Sequence, residues 1–324
     1  MRGFPARALV VLAAAALAGC SVISVDLTPR IRPLEETTVE GRGDAKILLI
    51  DISGVLSDEA LSPVLTLGAS PPRVPLLVRL REELKKAAED RKVRALVVRV
   101  NSPGGTVTAS DIVFRELDMF KRNTRVPVVA VMMDIAASGG YYVALAADTI
   151  VAHPTTVTGS IGTIMVNLNA EGLLQKIGVA PETIKSGERK DMGSPFRRPT
   201  PEERAIFQAV IDDLHRQFVA KVVERRKLPL ETAQRLAAGR IYTAEQALRH
   251  RLVDQIGYMS DALAVARRAA DLDEASVIVY RRPREYRATY YAQAEAPAGG
   301  LESTLSQLSV LWAPGPRFLY LWWP

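Results

Sequence analysis

The sequence predicts an α/β fold: a mainly parallel sheet covered by helices, followed by a helical C-terminal part. Three observations predict it. Between residues 46 and 152, short apolar runs bounded by turn formers alternate with segments of helical spacing. Strand and helix in alternation imply parallel strands joined by crossover helices. From Thr200 to about Leu272 the pattern becomes helical, with one further strand at Ser276–Tyr280.

Each element has its own signal. Lys46-Ile-Leu-Leu-Ile-Asp-Ile52 reads as a buried strand, and Gly68–Pro72 as a loop. Across Leu76–Asp90, Leu76, Leu77, Leu80, Leu84, Ala87 and Ala88 recur at helical spacing among charges, which predicts an amphipathic helix. Arg94–Val100 is the next strand and runs into Asn101-Ser-Pro-Gly-Gly105. A helix over Ala109–Lys121 precedes a third strand, Val126–Met132, where Pro127 stands early enough for its missing N–H to be tolerated. Ala136-Ala-Ser-Gly-Gly-Tyr-Tyr142 opens a helix through Ala147, and Thr149–Ala152 is a fourth strand. No internal repeat is present, so these elements form one catalytic-type domain.

The ends of the chain differ in character. Arg2 and Arg7 precede an apolar stretch, Ala8–Ala18, closed by Leu17-Ala18-Gly19-Cys20. As a helix this stretch is about 16 Å long, too short for the roughly 30 Å bilayer core, so it reads as a secretory signal peptide. Its end resembles the lipobox of bacterial lipoproteins, in which the cysteine is lipidated and becomes the new N-terminus. Cys20 is the only cysteine of the 324 residues, which excludes an intramolecular disulfide and a Cys-rich zinc site. Several acyl chains on it would hold the protein stably on a membrane. The expected location is the cell envelope, facing the periplasm or exterior, and Ser21 after the cysteine favours the outer membrane. The net charge of +6 gives no support to nucleic-acid binding. The expected organisation is a signal peptide over 1–19, a tether over 20–44, a catalytic domain over 45–293 and an aromatic tail over 294–324. That tail carries all three tryptophans (Trp312, Trp322, Trp323) beside Phe318 and Tyr320. Packing against the subunit or a neighbour, an interfacial membrane contact, and insertion into the protein's own cleft all fit its composition.

Two glycine-rich segments carry candidate chemistry. In Asn101-Ser-Pro-Gly-Gly105 the glycines allow a ligand to approach the backbone, although Pro-Gly is also common turn punctuation. In Ala136-Ala-Ser-Gly-Gly140, small residues leave room for a peptide beside Ser138, and a helix N-terminus would favour an oxyanion there. A serine nucleophile needs a base. The three histidines serve poorly: His153 reads as a turn residue, and His215 and His250 as solvated helix positions. A lysine serves when burial and neighbouring positive charge favour its neutral form. Lys185-Ser-Gly-Glu-Arg-Lys-Asp191 offers two, Lys185 and Lys190, in what otherwise reads as a charged loop.

The order Asn101–Gly105, Ala137-Ser-Gly-Gly-Tyr-Tyr142, Thr158-Gly-Ser-Ile-Gly162, Ile184-Lys-Ser-Gly-x-x-Lys-Asp191 resembles the signal peptide peptidase A family, half-length bacterial form. Gly239-Arg-Ile-Tyr-Thr243, Ala247 and Leu252-Val-Asp254 fit as well, so the resemblance spans about residues 45–270. It implies a fold like those of Clp protease and the crotonases. It implies a serine endopeptidase with Ser138 as nucleophile, Lys190 as general base and Ser160 orienting the lysine amine. The N–H groups of Gly139 and of Gly104 or Gly105 would form the oxyanion hole. No metal or cofactor is called for. The partners implied are peptide substrates, remnant signal peptides or other extended apolar segments, and further copies of the chain in a homo-oligomeric ring whose neighbours share active sites. Activity should rise with pH as the lysine loses its proton. A non-catalytic, peptide-binding envelope scaffold is the alternative, and an acyl-CoA enzyme of crotonase type fits badly with export.

Overall fold

The computed structural model describes residues 33–58, 74–283, 289–291 and 317–322. The expected signal peptide, Cys20 and Ser21 lie outside these residues. Strand β1 (Glu35–Glu40), with its alternating exposure, lies inside the segment expected to be a tether and pairs antiparallel with β11. Then follow β2 (Lys46–Ser53), α1 (Leu76–Glu89), β3 (Val93–Ser102), β4 (Gly104–Thr106) and α2 (Val107–Thr124). Next come β5 (Val128–Ala137), α3 (Gly139–Ala144), β6 (Thr149–Ala152), β7 (Val157–Gly159), β8 (Ile164–Val166) and α4 (Glu171–Lys176). The C-terminal part contains α5 (Pro201–Arg226), α6 (Leu230–Leu236), β9 (Ile241–Thr243), α7 (Ala244–Arg249), β10 (Gln255–Ile256), α8 (Met259–Ala269), β11 (Ser276–Arg281) and β12 (Arg317–Leu321).

The main sheet runs β1-β11-β2-β3-β5-β6-β10, with β7 beside the far end of β5 and β9 beside β7. Pairs β11–β2, β2–β3, β3–β5, β5–β6, β6–β10 and β5–β7 are parallel; β1–β11 and β7–β9 are antiparallel. This is the mainly parallel, helix-covered sheet that the alternation predicts. Its central strands are nearly continuous apolar runs because both faces are covered. In β3, Leu96, Val98 and Val100 face Leu80, Leu84, Val113 and Leu117 of α1 and α2. Ala95 and Val97 face Met259, Ala262, Leu263 and Ala266 of α8.

Helix limits follow local chemistry. Thr106 caps α2 by accepting from Ala109 N–H. Thr200 and Glu203 form a capping box at α5, with Pro201 in its first turn. The expected helix over 136–147 starts later, at Gly139, because β5 extends through Ala137 alongside β7. A second, three-stranded sheet runs β4-β12-β8. Its middle strand comes from the aromatic tail. Among the described residues no helix is long and apolar enough to cross a membrane.

Candidate active site

Parallel strands end at a common edge of the sheet, and the loops after β3 and β5 meet there. Ser138 is the single residue between β5 and α3. Its backbone is held at φ 52° and ψ −116°, a region that favours glycine. Ser138 N–H donates to Gly159 C=O at 2.7 Å, and Tyr142 N–H donates to Ser138 C=O at 2.9 Å, so both neighbouring elements enforce the turn. Such strain persists only where the surroundings over-determine it, and it is characteristic of working sites. The side chain is buried, and its Oγ has no hydrogen-bond partner among the described residues.

The glycines are required by close backbone packing. A Cβ on Gly104 would stand 2.7 Å from Gly139 N, and φ there is +100°. On Gly105 it would stand 1.9 Å from Leu56 O, because Leu56 bridges to Gly105 and exchanges bonds with Gly104 and Thr106. On Gly139 it would meet Ser110 Oγ at 2.3 Å, and on Gly140 Ser102 O at 2.5 Å. The two glycine segments of the sequence therefore pack directly together. Gly104 N–H already donates to Ser102 Oγ at 3.1 Å. Gly139 opens α3, so its N–H lacks an intrahelical acceptor.

Ser160 is brought to the same place. Strand β7 pairs Gly159 with Ala137, and Ser160 follows it, buried, at φ 49° with its N–H on Arg240 C=O. Gly239-Arg-Ile-Tyr-Thr243 thus acts as a clamp: Tyr242 packs beneath Gly159, and its hydroxyl donates to Leu236 C=O at 3.0 Å.

Both lysines are exposed on the chain's surface. Lys185 is ion-paired to Asp191 at 2.7 Å. Arg197 bridges Asp191 and Glu203, and with Lys185 holds the Asp191 carboxyl well below the usual carboxylate range. Arg197, then the Thr200 N–H, lower Glu203 to about 2. Lys190 is exposed in a turn, its N–H on Gly187 C=O, and its amine has no partner among the described residues. Within one chain it makes no bond to Ser138. None of the histidines does either: His153 sits in a turn with Thr155, His215 is half-buried on α5, and His250 is exposed beside Tyr242. Among the described residues no cluster of His, Cys, Asp and Glu is grouped to hold a metal ion.

One occupant of this site comes from the aromatic tail. The strand β12 pairs antiparallel with β4 on one side and β8 on the other, directly over the glycines. Its local signal is the short apolar run Phe318-Leu-Tyr-Leu321, and four residues beside prolines are a short basis for a strand.

A buried serine strained at a strand-to-helix turn, among glycine backbones, is a hydrolase-type arrangement, and comparison narrows the class to the peptidases. The model of peptidase family S49 matches residues 121–273. The chain is 36% identical over 273 residues to a provisionally named signal peptide peptidase SppA of Enterococcus faecium, covering 84% of this chain and 78% of that one. It is 36% identical over 195 residues to the chloroplastic serine protease SPPA of Arabidopsis thaliana, covering 60% of this chain and 28% of that protein. Among solved structures, it superposes on a point mutant of ClpP1 from Listeria monocytogenes with a TM-score of 0.42 and 15% identity, over 66% of this chain and 94% of that one. The chain belongs to peptidase family S49.

Proposed function

We propose that this peptidase is a serine endopeptidase with Ser138 as nucleophile and Lys190 as general base, the lysine being supplied by a neighbouring copy in a homo-oligomeric ring. The observation that carries the reading is Ser138 itself. Its strained turn, buried hydroxyl and glycine surroundings fit a nucleophile waiting for a base. The exposed, unpartnered Lys190 supports delivery between chains. Lys185 is the weaker candidate, because its ion pair with Asp191 favours the charged amine.

In the proposed reaction Lys190, as the free amine, takes the Ser138 proton while Oγ attacks a peptide carbonyl. The tetrahedral oxyanion is held by the N–H groups of Gly139 and Gly105. Gly105 is preferred to Gly104, whose N–H already bonds Ser102. Collapse breaks the C–N bond, and the leaving amine takes the proton from the lysine. Water, deprotonated by the same lysine, then hydrolyses the ester. Ser160, buried beside Ser138, orients the amine. Substrates are extended peptides that add as a strand, remnant signal peptides among them. Lipidated Cys20 tethers the enzyme in the envelope, outside the cytoplasm, and Ser21 favours the outer membrane.

The test is peptide hydrolysis by Ser138→Ala and Lys190→Ala. Each should lose at least about 1,000-fold in kcat. A serine-directed probe should label the native protein and not Ser138→Ala. Full activity in either variant would sink the dyad.

A further inference from the structure

Between the two glycine segments lies one fully buried hydroxyl, that of Ser102. Ser102 is the last residue of β3 and precedes Pro103, whose ring confines it to extended backbone. Its Oγ donates to Gly54 C=O at 2.6 Å and accepts from Gly104 N–H at 3.1 Å. A serine hydroxyl carries one proton, so with that proton given to Gly54 the oxygen meets Gly104 as an acceptor. Gly54 is held in turn, its own N–H donating to Asn101 C=O at 3.0 Å. One side chain therefore fastens the turn after β3 to the residue that follows β2.

The consequence falls on the next peptide group. Leu56 N–H donates to Gly104 C=O at 2.8 Å, and Thr106 N–H donates to Leu56 C=O at 2.9 Å, which makes a parallel bridge between Leu56 and Gly105. N–H groups alternate in direction along an extended strand. Gly104 N–H is on Ser102 and Thr106 N–H is on Leu56, so Gly105 N–H points the other way, to the side where β4 meets the groove. Gly104 stands at φ +100°, and a glycine can turn its peptide groups over at little steric cost. The bond to Ser102 Oγ fixes one of the two senses. Ser102 also reaches the other segment: a Cβ on Gly140 would stand 2.5 Å from Ser102 O, so its backbone packs on the first turn of α3, beside Gly139.

We propose that Ser102 is a positioning residue for the reaction: by holding Gly104 N–H, its hydroxyl aims the Gly105 N–H at the oxygen that becomes negative when Ser138 attacks. Ser102 touches no substrate and acts through the backbone, so it works on the transition state and not on peptide binding. A hydroxyl with a merely structural role would affect both alike. The proposal rests on the reading of Ser138 as nucleophile and of the glycine N–H groups as oxyanion donors.

The test is Ser102→Ala in the full chain, with Ser102→Thr as the variant that keeps the hydroxyl. Deleting an oxyanion donor outright costs about 100- to 1,000-fold in kcat, so Ser102→Ala, which only loosens one, should lose about 10- to 100-fold, with KM within about twofold of native. A peptide aldehyde, whose adduct with Ser138 places an oxygen where the oxyanion forms, should bind more weakly by the same factor as the loss in kcat. An uncleaved peptide should bind Ser138→Ala and the Ser102→Ala, Ser138→Ala double variant equally well. Ser102→Thr should keep kcat within about threefold of native. If Ser102→Ala melts early, Ser102→Cys, which keeps a side chain of similar shape with a weaker hydrogen-bonding group, repeats the comparison. Native kcat in Ser102→Ala, or a loss shared equally by the aldehyde and the uncleaved peptide, would overturn the proposal and leave Ser138 standing as nucleophile. Cleavage that survives Ser138→Ala would remove the nucleophile reading, and this one with it.

Discussion

At the scale of single residues, the site is built from conformations that side chains ordinarily avoid. Ser138 and Ser160 both sit at positive φ, and the bond from Ser138 N–H to Gly159 C=O ties the two turns together. Strain of this kind costs about 1–3 kcal/mol at each position. Ser138→Gly should therefore be more stable than Ser138→Ala by about 1 kcal/mol, although both lack the hydroxyl. Urea denaturation at matched protein concentration checks this, and equal stability would mean that the turn is relaxed. The residue types were legible: a serine flanked by alanine and glycine, and a second glycine pair, stood out along the chain. The proposed choice of Gly105 over Gly104 as oxyanion donor was not. It depends on Ser102 Oγ taking the Gly104 N–H, a bond that has no sequence signature.

Among elements, the loop that bears Lys190 is secured to the start of α5. Lys185 and Arg197 hold Asp191, and Arg197 also holds Glu203, which caps α5 through the Thr200 N–H. The Arg197 guanidinium and the Thr200 N–H lower the Glu203 carboxyl from 4.5 to about 2 in the folded chain. Its contribution is therefore complete above the unfolded value and is lost as pH falls from about 4.5 to about 2. Over that range, hydrogen exchange in the first turn of α5 should quicken relative to α8. In Glu203→Gln the extra acceleration should vanish, and its persistence would put the latch elsewhere. The long apolar strands and the capped helices were readable, because periodicity and caps are local. Strands β4, β7, β8, β9 and β10 were not, since two or three residues carry no period. β12 shows the same limit: five residues, four of them apolar in a row, take up a strand between β4 and β8.

For the whole molecule, one chain holds Ser138, the proposed nucleophile, and exposes Lys190, the proposed base, without a bond between them. If neighbours exchange lysines through a heterologous interface, inactive protomers should complement each other. An equal mixture of Ser138→Ala and Lys190→Ala chains, dissociated and reassembled, should recover roughly a quarter of native activity, the fraction of interfaces pairing an intact serine with an intact lysine. Recovery of none would confine the dyad to a single chain or abolish it.

By itself the sequence determined the α/β class, the apolar strands of a sheet covered on both faces, and the family. These are properties of residue type and short-range period, which burial and backbone sterics translate directly into structure. Only the tertiary structure decided that the two glycine segments touch, that Ser138 is buried, strained and unpartnered, and that the C-terminal strand lies over it. Those facts depend on contacts between segments as much as two hundred residues apart, such as Tyr320 on Gly105, which no local pattern encodes.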